Sequence, residues 1–175
     1  MAFFDGNEGN SNWAERRHPL ANQIYDNHGV RFEFPETWEL EETDHGDVAT
    51  VAVSVPDGLG FAVITTDVTC PDPAMASEEA LEALKEEYPD LDASPVLEAI
   101  NGQATTGYDI EFFALDMTNS ASVRCFRTPR RTVLLFGQWS DAGSDQTPDQ
   151  IRQIFLSMEE TESAGDDQDP SMDED

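Results

Sequence analysis

Apolar positions along this chain recur with two periods, and the switch between them marks the elements. Val30, Phe32 and Phe34 alternate with Arg31 and Glu33, the period of two expected of a half-buried strand. Pro35 ends that run, and Trp38 and Leu40 open a second short strand before the turn His45-Gly46-Asp47. Val48, Val51, Val53 and Val55 carry a β-branched strand closed by Pro56-Asp57-Gly58. Phe61–Val68 follows as a strand expected to be covered on both faces. The period then lengthens. Ser77 is read as an N-cap, with Glu78 and Glu79 at the positive end of the helix dipole and Leu81, Leu84 and Tyr88 on one face. Pro89-Asp90 stops this helix.

Alternation returns with Val96–Ile100, then Asn101-Gly102, a strong two-residue hairpin signal, and a return strand over Ala104–Leu115. Thr118-Asn119-Ser120 is expected to turn into Ser122–Arg127, and Thr128-Pro129-Arg130 into Thr132–Trp139. Four consecutive antiparallel segments make a meander. The last helix is expected to begin with Thr147 as N-cap, Pro148 at the first helical position and Gln150 completing a capping box. Ile151, Ile154, Phe155 and Met158 then form a buried stripe. The pattern predicts an α+β fold, an antiparallel meander with helices packed on it. Its organisation is a flexible arm over 1–27, one domain over 28–158 and a disordered acidic tail over 159–175.

Charge changes this picture more than composition does. The 175 residues include 37 Asp and Glu against 9 Lys and Arg, a formal net charge of −28, and only Lys85 among the nine cations is a lysine. With 38% hydrophobic residues the chain can still build a core. Such a balance opposes binding to nucleic-acid phosphates or anionic membranes, and no apolar run approaches a membrane span. Carboxylates hold water and hydrated cations, whereas lysine exposes an apolar stem, so acid excess without lysine fits a salt-rich cytoplasm. The start of the sequence shows no basic and apolar leader pattern, and a cytoplasmic location is expected.

Three stretches carry a family resemblance: Phe32-Glu33-Phe34-Pro35-Glu36-Thr37-Trp38, Ile100-Asn101-Gly102, and the closing helix Ile151–Met158. In these and in its order of elements the chain resembles the PsbP/Mog-like group, in an acidic, halophile-type version. The resemblance implies an α/β/α sandwich. Members of the group are chiefly binding proteins: photosystem extrinsic subunits, a Ran-GTPase-binding transport factor, DcrB-like lipoproteins and Eag-type secretion chaperones. An adaptor or chaperone role is therefore implied, without any site motif to carry across. The chain departs from exported members in showing neither a signal nor a lipidation cysteine near its N-terminus.

Candidate chemistry is sparse. Cys70 and Cys125 have no C-x-x-C spacing, and Cys125 alternates with Val123 as a core residue would. His18, His28 and His45 lack the spacing of a metal site or of a base beside a nucleophile. Catalytic residues, metal and cofactor are all expected to be absent. The unusual positive feature is Arg124, Arg127, Arg130 and Arg131, four cations in eight residues. They serve either as a dock for a partner's carboxylate or phosphate or as pairs for the chain's own acids, Asp109 and Glu111 among them. Trp38 and Trp139, with Tyr108, either line a groove as interface anchors or fill the core. The functional expectation is a non-enzymatic domain, monomeric or homodimeric, that binds another protein. The alternative is a small-ligand binder or enzyme with a pocket between sheet and helices.

Overall fold

The computed structural model describes residues 21–162, and ten strands and two helices account for most of them. In chain order these are β1 (Asn22–Asn27), β2 (Val30–Pro35), β3 (Glu39–Asp44), β4 (Val48–Ser54), β5 (Gly60–Asp67), α1 (Pro73–Glu87), β6 (Asp92–Ile100), β7 (Gln103–Ala114), β8 (Met117–Arg127), β9 (Thr132–Ser140), α2 (Thr147–Leu156) and β10 (Glu159–Glu160). All pairings are antiparallel. A large sheet runs β3-β4-β5-β9-β8-β7-β6, and a small one runs β1-β2-β10. The expected α+β meander with helices on it is the architecture found.

Registry assigns each strand position to one of two faces, because side chains alternate. Ile64, Leu135 and Arg124 align across β5, β9 and β8 on the inner face, while Val63, Phe136 and Val123 align on the outer one. α1 covers the outer face, seating Leu81 among Ile110, Phe112, Ala121 and Val123, with the Tyr88 ring stacked on Phe112. α2 and the small sheet cover the inner face. There Phe32, Phe34, Trp38, Ile151, Ile154 and Phe155 pack on Val51, Val53, Ala62, Ile64, Val133 and Leu135. Glycines set how closely α2 approaches. A Cβ on Gly137 would collide with Ile151, and one on Gly60 with Thr147.

Several boundaries depart from the sequence reading. Asn22–Asn27, expected within a loose arm, is strand β1, because pairing with β2 lets Tyr25 bury its ring on Phe32. The remainder of that arm lies outside the described residues. So does most of the acidic tail, but Glu159 and Glu160 pair with β2. The turn placed at Thr118-Asn119-Ser120 falls instead at Leu115-Asp116, both with positive φ (53° and 60°). No glycine signals this turn, since two ordinary residues are held in the left-handed region that a tight hairpin requires.

Helix starts shift too. Asp72, not Ser77, caps α1, accepting from the Ala74 and Met75 amides with Pro73 at the first turn. Ser77 lies buried inside the helix and donates to the Pro73 carbonyl. Thr147 is the first residue of α2, not its cap, and makes no side-chain capping bond. Its methyl is committed to the space above Gly60.

Candidate functional site

On the inner face the aliphatic rows stop short of the β6 edge. The row Ile64–Leu135 continues into Arg124, Gly107 and Val96, and the row Ala62–Gly137 continues into Ser122, Asp109 and Ser94. Nearest the β7–β8 turn, Trp139 continues into Ser120, Glu111 and Asp92. Small and charged residues in these positions leave room beneath α2. The result is an open cleft of about 570 Å³, walled on the helix side by Asp149, Ile151, Arg152 and Phe155.

Glu98 joins two arginines on the floor. Arg152, from α2, meets it with both terminal nitrogens (2.7 and 2.9 Å), and Arg124 Nε reaches Glu98 Oε1 at 2.6 Å. Arg124 is only 5% exposed. It spends its other donors on Asp109 Oδ1 (2.8 Å) and on the Tyr108 and Val123 carbonyls. Opposite Arg124 stands Gly107, where a Cβ would strike the Val123 carbonyl, so the β7 and β8 backbones meet more closely than any other residue permits. The bidentate Arg152 contact, reinforced by Arg124 against the opposing cost of burial, holds the Glu98 carboxyl at about 2, well below the usual range. The triad thus stays ionised and ties α2 to the edge strand.

Two arginines balance Glu98 and Asp109. The remaining cleft carboxylates, Asp92, Glu111 and Asp149, have no hydrogen bond or ion pair to a described residue. Asp92 and Glu111 sit directly opposite each other on β6 and β7, a like-charge placement that costs stability until a cation offsets it. The cleft therefore places three carboxylates that have no partner among the described residues beside the half-buried Trp139 ring.

The four clustered arginines do not act together. Strand alternation and the β8–β9 turn send them apart: Arg124 into the cleft, Arg127 to an exposed position on the opposite face, Arg130 outward to Glu162 (2.8 Å). Arg131 is buried elsewhere, donating to the His28 carbonyl and Glu160 over Gly29, where it pins β10 and the β1–β2 turn. Arg124 does pair with Asp109 as one reading had it, but with Glu98 in place of Glu111. Trp38 is core at 5% exposure, whereas Trp139 lines the cleft. Burial pushes the Cys125 thiol up to about 12, which keeps it protonated among core residues.

Sequence reasoning passed over Glu98, Arg152, Asp92 and Asp149. The available signal was polar residues at alternate positions of β6 and β7, Asp92, Ser94, Glu98, Asp109 and Glu111, on strands whose other rows are apolar. Among the described residues no group of His, Cys, Asp and Glu is arranged to hold a metal ion, and no helix is long and apolar enough to cross a membrane.

No family model matches the sequence, and no curated protein does either. Solved structures are similar in fold. Cyanobacterial PsbP (CyanoP) from Synechocystis superposes with a TM-score of 0.58 at 10% identity, over 81% of this chain and 93% of its own. LpqN of Mycobacterium tuberculosis, described as involved in cell envelope biogenesis, gives 0.55 at 13% identity, over 81% and 91%. A Bacteroides thetaiotaomicron protein gives 0.52 at 13% identity over 81% of this chain, which spans about half (48%) of that longer one. The fold is thus PsbP-like, as the opening strand, the hairpin and the closing helix suggested.

Proposed function

We propose that this domain is a non-enzymatic binding module that receives a positively charged segment of another protein in the cleft beneath α2, within a salt-rich cytoplasm. One observation carries this reading. Asp92, Glu111 and Asp149 ring an open cleft whose other charges are already satisfied in pairs. Those three acids share one concavity, and a cationic segment seated there would meet complementary charge. The PsbP-like fold supports an accessory or binding role only by analogy, since folds host many functions.

The reading is tested by capture from a native lysate with the wild-type protein and with an Asp92→Asn/Glu111→Gln/Asp149→Asn variant. Loss of a recovered protein from the variant, with its melting temperature unchanged, is the expected result. Equal recovery by both proteins refutes the cleft as the binding face.

A second reading, a small cationic ligand, has its own support, because about 570 Å³ lies within the range of ligand pockets. A screen of cationic metabolites by melting temperature separates the two.

A further inference from the structure

β6 closes one side of the large sheet, and its outer side has no paired strand among the described residues. Its hydrogen-bonding parity follows from the hairpin. Asn101 and Gly102 both have positive φ (48° and 79°), as a two-residue type I′ turn requires, so Ile100 and Gln103 exchange both backbone bonds. Counting back in twos, Glu98 and Val96 bond to β7, while Ala99, Leu97, Pro95 and Ala93 turn their backbone groups outward. Pro95 thus stands at a position where the missing N–H costs the ladder nothing.

The same parity sorts the side chains. Ala93, Pro95, Leu97 and Ala99 all lie on the outer face beyond the cover of α1, all exposed, Leu97 at 84%. Asp92, Ser94 and Glu98 lie on the inner face and line the cleft. One edge therefore presents open backbone groups, an apolar row on one side and, on the other, the row Asp92, Ser94, Val96 and Glu98, in which Asp92 has no described partner and Glu98 is held by two arginines. The opposite edge differs. In β3 the outer-face positions are Glu39, Glu41 and Thr43, and Tyr25 and His28 of the small sheet approach Glu42 on the inner face. β3 therefore carries acids on both faces, whereas β6 keeps its charges, Asp92 and Glu98, on the inner face and has only Pro95 to blunt its apolar outer row.

We infer that the partner segment binds as an extended strand added to β6, with alternating basic and aliphatic residues. The inference rests on the binding role proposed above and specifies the partner's form. Basic side chains of such a strand fall on the inner face near Asp92 and Glu111, and aliphatic ones fall beside Leu97. Main-chain bonds to Leu97 and Ala99 supply affinity, and the two rows supply specificity. A second copy of this chain is the poorer occupant, because two molecules of charge −28 repel each other.

The test titrates the 175-residue protein with an alternating lysine–valine peptide and with a block isomer, lysines first and valines after, of identical composition. Amide spectra and hydrogen exchange are read at Leu97 and Ala99. The alternating peptide is expected to bind at least about tenfold more tightly and to slow exchange at those two amides. Leu97→Pro, which removes one donor, and Leu97→Lys, which adds a like charge without touching the backbone, should each erase that preference. Equal binding of both isomers with unchanged β6 amides overturns strand addition. So does protection of the two amides in the protein alone, whether from a second copy or from residues outside 21–162. Binding abolished by Asp92→Asn/Glu111→Gln but indifferent to both Leu97 variants also overturns it, while leaving the cleft as the binding face intact. If the cleft variant captures the lysate partner normally, the broader reading fails irrespective of the peptides.

Discussion

Two halves of one sheet face have opposite characters. Where β4, β5 and β9 meet α2 and the small sheet, inner positions are aliphatic or aromatic and the face is dry, with Val53, Ile64 and Leu135 fully buried. Where β6, β7 and β8 continue the same rows, those positions are Ser94, Glu98, Asp109, Glu111, Ser122 and Arg124, and the face opens into a cleft. The backbone is the same antiparallel ladder throughout. Only side-chain chemistry and the reach of α2 differ. The dry half holds the fold together; the polar half is held together by one triad and otherwise left free.

The largest effects should come from the dry half. Ile64→Ala is expected to cost about 2–5 kcal/mol, because a fully buried side chain leaves a cavity that α2 and β2 cannot close. Chemical denaturation measures it, and a loss under about 1 kcal/mol would erase the distinction between the halves.

Glu98→Gln should come next, at about 3 kcal/mol, since it leaves Arg124 buried with only Asp109 as anionic partner. Arg152→Gln should cost less, because Arg152 is partly exposed and Glu98 keeps its bond to Arg124. A double-mutant cycle reads their coupling, and additivity would mean that the triad is not a unit.

The triad also sets a pH limb. Folding lowers the Glu98 carboxyl from about 4.5 to about 2, so its stabilisation is fully present above about pH 4.5 and is lost as pH falls toward 2. The melting temperature of the wild type should therefore fall more steeply across that window than that of Glu98→Gln. Parallel curves would remove Glu98 as the source.

The smallest effect belongs to the open acids. Asp92→Asn or Glu111→Gln should change stability by no more than about 0.5 kcal/mol, with a slight gain at low salt from relieving the opposed pair. Either residue proving necessary for folding would turn the cleft from a binding surface into part of the core. In the intact protein, molar salt should raise the melting temperature by screening the −28 charge.

Legibility in the sequence followed the range of the interaction. The meander was readable, from Val96 to Trp139, because alternation and the Asn101-Gly102 turn are local signals. The stripe of Ile151, Ile154 and Phe155 announced α2 by the same logic. The Leu115-Asp116 turn was hidden, because its residues are imposed on by the flanking strands and not chosen for that geometry. Arg124, Arg130 and Arg131 of the arginine cluster pair with the chain's own acids, as one of its two readings had it, but its members part company for a related reason. Neighbours in sequence on a strand and a tight turn point in different directions, so four adjacent cations make one cleft contact, one latch on β10 and two surface positions.

By itself the sequence determined the α+β class, the strand-by-strand alternation and the overwhelming negative charge, all properties of residues and their near neighbours. The tertiary structure alone decided that β9 lies beside β5, that Glu98, Arg124 and Arg152 converge from three elements, and that α2 stops short of the β6 edge. Those outcomes depend on how whole faces fit together across long stretches of chain, and no local period records such a fit.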